Sequence, residues 1–152
     1  MNRHIERPRT ALESVLQYLV LRQLAGKSNV IEAVRRYFIE DASPSTIARE
    51  LGLSRYQVRG YVQRIMERAG SLSRARAIVR YAIAHVTRIR PIVVQTSEKK
   101  GLCTACGSEV WLIVAVDHVA RYHAKLVLEH VYSIIDRIER DLRSRDLVGD
   151  RA

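Results

Sequence analysis

The chain of 152 residues lacks the features that mark secreted and membrane proteins. It has two cysteines, too few for the disulfide framework of a small secreted domain. Its longest uninterrupted apolar run, residues 110–116, is far shorter than the about 20 residues that a membrane-spanning helix needs. No apolar stretch of signal-peptide type precedes Thr10. We therefore expect a cytoplasmic protein that does not enter a membrane.

Patterns typical of enzymes are also missing from the sequence. It has no glycine-rich phosphate loop, and its acidic residues are scattered among basic partners on predicted helix faces. We find no internal repeat and no low-complexity tract. With 47% hydrophobic and 28% charged residues, the composition is that of a folded globular protein. We therefore expect a globular binding protein without catalytic activity.

Charge is the most informative part of the composition. Lysine and arginine number 26 against 16 aspartates and glutamates, which gives a net charge of +10. The excess of positive charge is concentrated in residues 43–90, which contain ten arginines and only two glutamates. A biased genome composition explains the preference for arginine over lysine, but it does not explain this local shortage of acids. A surface of this kind attracts polyanions, so residues 43–90 are the first place to seek a nucleic-acid contact.

Capping residues and apolar spacing predict a mainly α fold. The predicted helices are about 11–25, about 30–40 with an Asn29 cap, one from Ser43 to Gly52, about 55–69, and one capped by Ser73 that ends at Arg90. Two β-branched runs, 92–94 and 110–116, predict a two-stranded hairpin that carries the cysteine pair in its loop. Asp117 is predicted to cap a last helix that reaches about residue 143. The expected units are a helical domain at 1–90, the hairpin at 91–116, and a long helix with a short tail at 117–152.

Residues 44–63, PSTIARELGLSRYQVRGYVQ, have the pattern of two helices that cross at a short turn. Ala48 supplies a small residue at the contact, Gly52 suits a left-handed turn position, and Leu53 fills the turn. Apolar contacts to the rest of the domain come from Ile47, Val58 and Tyr61. The stretch resembles the helix-turn-helix superfamily of DNA-binding regulators, with the unit at 43–69.

The resemblance implies that helix 55–69 enters the major groove with its N-terminal end at the base edges. The implied DNA contacts at the bases and at the start of the helix are Ser54, Arg55, Tyr56, Arg59, Gln63 and Arg64. The implied phosphate contacts are Arg49, Arg74, Arg76 and Arg80. Gly60 is unfavourable in a helix and indicates a close approach, either to nucleic acid or to a neighbouring helix. We therefore expect a transcriptional regulator that binds specific sequences of double-stranded DNA.

Two other uses of the same segment stay open. An RNA-binding or ribonucleoprotein accessory protein would use the same basic patch, because electrostatics alone does not separate DNA from RNA. A helix-turn-helix can also serve only as a protein-interaction fold.

The four residues Cys103, Cys106, His118 and His123 have the spacing Cys-x2-Cys-x11-His-x4-His. Zn²⁺ takes four nitrogen or sulfur ligands in a tetrahedron, and this set supplies them. The segment 103–123 resembles a two-Cys two-His zinc finger, and Cys106-Gly107 resembles the turn of a zinc knuckle. Its central spacer is one residue shorter than in the finger pattern. The resemblance implies a structural zinc that holds the hairpin against the last helix.

The residues leave other interpretations of this segment open. A second chain could complete the cysteine pair, or the cysteines could be free thiols or a redox pair in a zinc- or thiol-dependent sensor. In a regular helix that starts at Asp117, His118 and His123 lie about 140° apart, so a zinc site requires a distorted helix. We interpret the other three histidines, which are His4, His85 and His130, as surface or packing residues.

The apolar positions of the last helix cover about 200° of its circumference, which is more than one neighbour normally covers. We therefore expect a homodimer through helices 117–143 and 11–25. Leu128, Ile135 and Leu142 are spaced by seven residues, as in a seam between two helices. The alternative is that helix 11–25 covers this surface within one chain.

Overall fold

The computed structural model describes the backbone of residues 10–149 and the side chains of residues 10–145. His4 and the last three residues of the predicted tail lie outside these ranges. The α-helices are α1 (Ala11–Leu24), α2 (Ser28–Glu40), α3 (Pro44–Leu51), α4 (Arg55–Ala69), α5 (Leu72–Thr87), α6 (Ala115–Tyr122) and α7 (Ala124–Gly149). The strands are β1 (Val93–Gln95), β2 (Lys100–Cys103) and β3 (Glu109–Trp111), and a 3₁₀ turn spans Leu112–Val114. The predicted mainly α fold class, with a small antiparallel sheet and a long C-terminal helix, is confirmed.

Four of the first five helices begin with a side-chain cap, and two of the predicted caps are wrong. Ser43 and Ser54 cap α3 and α4 through their hydroxyls, and Ser54 forms a full capping box with Gln57. The Ser73 cap is wrong, because the Ser71 hydroxyl accepts the Arg74 N–H and α5 starts two residues earlier than predicted. Ser71 caps the helix in place of Ser73 because both serines lie within the same polar turn and offer the same hydroxyl. The Asn29 cap is also wrong: α2 begins at Ser28, with no side-chain cap.

Helix α1 is the centre of the molecule. All six side chains of residues 15–20 are buried, and the helix contacts α2, α4, α5, α6 and α7. A helix that is apolar on most of its circumference is stable only when neighbours surround it. Two buried polar side chains on α1 are paired: Gln23 donates to the Ile89 carbonyl at 2.8 Å, and Glu13 accepts from the Tyr132 hydroxyl at 3.2 Å. The buried Tyr18 hydroxyl has no hydrogen-bond partner among the described residues.

The sheet has one strand more than the predicted hairpin. Its order is β1-β2-β3, with both pairs antiparallel, and Val93 lies opposite Cys103 in the first pair. The additional strand β2 lies inside the segment 97–108 that was expected to be a loop. The second apolar run is also shorter as a strand than expected, since it turns into a 3₁₀ turn at Leu112 and into α6 at Ala115. A run of β-branched residues does not distinguish a strand from a buried helix start.

The last helix is two helices that break at His123. Asp117 is not its cap, because α6 already begins at Ala115, and His123 has φ −130° and ψ 30°, which is not helical. The chain continues as α7, which packs on α1, α5 and α6. The inward stripe of α7, formed by Val127, Val131, Ile134 and Ile138, is buried.

Helix α1 therefore covers part of the wide apolar arc within the chain, as the alternative interpretation expected. Leu142, at the far end of the predicted seam, remains 37% exposed. Among the described residues, no helix combines the length and the apolar character needed to cross a bilayer.

Candidate functional site

The four predicted metal ligands lie together in space. One ligand atom from each of Cys103, Cys106, His118 and His123 can be chosen so that all four lie within 4.8 Å of one another. Cys103 Sγ is 3.4 Å from His123 Nε2, and Cys106 Sγ is 3.6 Å from His118 Nε2. The tertiary fold thus collects two thiols and two imidazoles at one point.

These distances suit a tetrahedral ion of zinc size. Zn–S bonds of about 2.3 Å and Zn–N bonds of about 2.0–2.1 Å, at the tetrahedral angle, separate sulfur and nitrogen by about 3.6 Å. The Cys103–His123 and Cys106–His118 pairs are within about 0.2 Å of that separation, and the other ligand atoms lie within 4.8 Å of one another. The residues present therefore fit a four-coordinate metal ion with two sulfur and two nitrogen ligands.

The cysteines are positioned by a tight turn at the end of β2. The Cys103 N–H donates to the Ser108 carbonyl at 2.9 Å, and the Gly107 N–H donates to the Cys103 carbonyl at 2.7 Å. Gly107 has φ +76°, a conformation that side-chain-bearing residues rarely adopt. The turn brings both sulfurs to the same side, as in the zinc knuckle that Cys106-Gly107 resembles.

The histidines converge because of the helix break. His118 lies on α6, whereas His123 lies at the junction with α7, where the chain leaves the helical path. The expected obstacle of about 140° between the two side chains is thereby removed. Their ring centroids are 5.3 Å apart. The distorted helix that the metal hypothesis required is present, and the distortion lies at His123.

The two thiols have unequal surroundings. Cys103 is buried, and this burial raises the pKa of its thiol. Cys106 is exposed, and hydrogen bonds from the Ser108 hydroxyl and N–H, with a smaller effect of His123, lower the pKa of its thiol to about 6. Ser108 is a member of this site that the sequence did not single out, because a serine in a polar turn carries no distinctive signal.

A second candidate site is formed by α3 and α4, which are joined by the three residues 52–54. Gly52 has φ +68° and ψ +31°, the left-handed conformation expected from the sequence. Leu53 donates its N–H to the Ala48 carbonyl at 2.9 Å and so closes the turn. Ile47, Ala48 and Val58 are buried. Helices α2, α3 and α4 all contact one another, so the pair is fixed to the rest of the helical core.

Helix α4 has a buried stripe and an opposite exposed face. The buried stripe is formed by Val58, Val62, Ile65 and Ala69. At 100° per residue, Tyr56, Gly60 and Gln63 lie about opposite this stripe, and Arg59 and Arg64 flank them. Tyr56 is 79% exposed, and the side chains of Arg55, Arg59, Gln63 and Arg64 are exposed as well.

The environment of Gly60 distinguishes the two interpretations of this residue. A Cβ atom at Gly60 would meet only the Arg64 guanidinium, with Nη1 at 3.2 Å, and no atom of a neighbouring helix within 4 Å. Close helix packing therefore does not explain the glycine.

The predicted phosphate contacts differ in how they are paired. Arg49, Arg74 and Arg80 are exposed and have no ion-pair partner within residues 10–145. Arg76 is half-buried and forms an ion pair with Asp41 at 3.0 Å. Its guanidinium is therefore partly used inside the protein, which the sequence did not indicate.

Comparison with known proteins gives no match: no family model fits the chain, and no curated protein or solved structure is significantly similar to it.

Proposed function

We propose that this chain is a DNA-binding protein, most simply a transcriptional regulator, which inserts α4 into the major groove of double-stranded DNA. The observation that carries the proposal is the exposed face of α4. Arg55, Arg59 and Arg64 have no carboxylate partner within residues 10–145, although the helix is firmly packed on its other side. Unpaired arginines on a rigid helix are suited to an external anion.

The chemistry of this face suits base recognition. Arginine can donate two hydrogen bonds to guanine O6 and N7, and glutamine can pair with adenine N6 and N7. Gln63 donates to Glu67 at 3.0 Å in the free protein, which holds its amide on the exposed face. Gly60 lies between these side chains and gives the DNA backbone room to approach. Arg49, Arg74 and Arg80 would then contact phosphates outside the groove.

We further propose that the ion held by Cys103, Cys106, His118 and His123 is zinc and that its role is structural. All four positions of the tetrahedron are filled by protein side chains, which is typical of structural rather than catalytic zinc. The ion would join the turn after β2 to the junction of α6 and α7. The proposed activity is therefore binding inside the cell, without catalysis.

The proposed assembly is a homodimer through α7. Helix α1, which was also predicted to take part, is enclosed by helices of its own chain, and none of residues 11–24 is exposed. Two copies of α4 would then lie about 34 Å apart and reach successive major-groove turns on one face of the duplex. The preferred site would be a pseudo-palindrome.

The DNA proposal is tested by selecting bound sequences from a random duplex pool. The selected duplex and a matched RNA hairpin are then titrated at several salt concentrations by fluorescence anisotropy. We expect an enriched motif, preference for the duplex, and affinity that falls steeply with salt. Equal binding of every duplex, or preference for the RNA, would contradict the proposal. Metal analysis of the same preparation should give about one zinc per chain.

A further inference from the structure

A crevice between α5 and α7 shares only Arg80 with the candidate sites described above. Three adjoining cavities of about 230, 320 and 210 Å³ follow one another along it. His85 and Arg88 line all three cavities, and Arg137 lines two of them. One of the three reaches the about 300–1,000 Å³ of small-molecule sites, and the other two are smaller.

The crevice has far more positive than negative charge. Its lining includes Arg80, Arg88, Arg90, Arg137, Arg140 and Arg145, and the only acidic residue among the lining side chains is Asp141. Arg140 is already paired with Asp136. Arg88, Arg90 and Arg137 have no ion-pair partner within residues 10–145. A cationic residue at the C-terminal end of α5 is favoured by the helix dipole, but this does not explain Arg137 on the facing helix.

The geometry points to a ligand with phosphate oxygens: we propose that the crevice binds a small phosphate ester, with Arg88 and Arg137 as the main contacts. Guanidinium groups present planar pairs of donors that match a phosphate group. Arg88, directly after α5, and Arg137, on α7, line the same two cavities, so both guanidiniums border the space that the phosphate would occupy.

Other groups in the crevice are consistent with a ligand of this class. The His85 side chain is 14% exposed, its Nε2 lies 3.8 Å from Asp141, and its buried Nδ1 has no hydrogen-bond partner within residues 10–145. At one end, the half-exposed ring of Tyr81 lies 5.8 Å from the Arg145 guanidinium carbon. An aromatic face beside the arginines suits the base of a nucleotide. The proposal does not depend on DNA binding by α4.

The test measures the binding of pyrophosphate, AMP and a 20-base-pair duplex to the full chain by calorimetry. The variant combines Arg88→Gln with Arg137→Gln. Its matched control combines Arg121→Gln with Arg143→Gln, which removes the same charge from two exposed arginines that are paired on their own helices. Melting temperatures of all three proteins confirm that they are folded.

We expect AMP to bind more tightly than pyrophosphate to the wild type. The Arg88 and Arg137 variant should lose about a hundredfold in affinity for both compounds, since it removes two charge-assisted contacts that contribute about tenfold each. The control should lose less than about threefold, because only long-range attraction changes. No binding of either compound to the wild type overturns the proposal, and so does an equal loss in the control. If the Arg88 and Arg137 variant loses binding of the duplex only, the phosphate-ester proposal is also overturned, and these arginines are assigned to a nucleic-acid backbone. Loss of duplex binding on substitution of Arg55 tests the α4 proposal separately.

Discussion

The surface of α4 and the cluster of cysteines and histidines differ in how they are built. On α4, the candidate contact residues belong to one helix, and Tyr56, Arg59, Gln63 and Arg64 lie on the side away from the buried stripe, which the helix period alone defines. At the cluster, four side chains from a turn, a helix and a helix junction meet because the backbone bends at Gly107 and at His123. The first site depends on local periodicity, whereas the second depends on tertiary structure. The two should therefore respond differently to substitution.

The largest effect is expected from loss of the metal. Chelation of zinc, or Cys103→Ser, should lower the free energy of unfolding by about 4 kcal/mol when free zinc exceeds its Kd about a thousandfold. Hydrogen exchange should increase in α6 and the start of α7 more than in α4. Chemical denaturation with and without chelator measures the change.

Ala105→Ser is the control for the metal prediction, because Ala105 lies in the same turn and is exposed but offers no ligand in the wild type. This variant should keep its metal and its stability. If the chelator does not change the free energy of unfolding of the wild type, the cluster holds no structural ion.

The second effect concerns the dimer. Leu128→Glu with Leu142→Glu should give a folded monomer whose affinity for a pseudo-palindromic site falls about a hundredfold, because two linked contacts become one. These positions avoid Ile135, which packs against the core. Lys125→Gln with Arg143→Gln changes the net charge equally and should remain dimeric. Light scattering measures the mass of both variants and of the wild type. A wild-type mass of one chain at micromolar concentration contradicts the dimer.

The third effect separates base contacts from phosphate contacts. Arg55→Ala and Arg59→Ala should each reduce the preference for the selected site over random DNA by about 1–3 kcal/mol. Arg74→Ala should weaken both kinds of DNA alike and lower the salt slope by about one. Anisotropy titrations at several salt concentrations measure both quantities. If the three variants behave alike, α4 is not the reading helix.

The smallest effect is expected at Gly60. Gly60→Ala should stabilise the protein by about 1 kcal/mol, because alanine favours the helix and the Arg64 side chain can move away from the new methyl group. DNA affinity should nevertheless fall, since the methyl group occupies the centre of the proposed interface. Thermal unfolding and DNA titration of the same variant test the two halves of this prediction. An unchanged DNA affinity would place Gly60 away from the nucleic acid.

Most of the helical region was predictable because its signals are local. Ser43, Ser54 and Gly52 set the ends of α3 and α4 through hydrogen bonds within a few residues. The cap of α5 was misplaced by two residues, because Ser71 and Ser73 offer the same chemistry and only packing decides between them. The pairing of Arg76 with Asp41, 35 positions earlier, had no local signal.

The sequence by itself determined the mainly α fold class, the concentration of charge in residues 43–90 and the identity of the four candidate metal ligands. These follow from side-chain chemistry and from spacing within single elements. Only the tertiary structure decided that β2 pairs on both edges, that α1 covers α7 within the chain, and that His118 and His123 converge. The physical reason is the break at His123: in an unbroken helix the two imidazoles would diverge, and only the packing of α6 and α7 against α1 fixes the bend that brings them together.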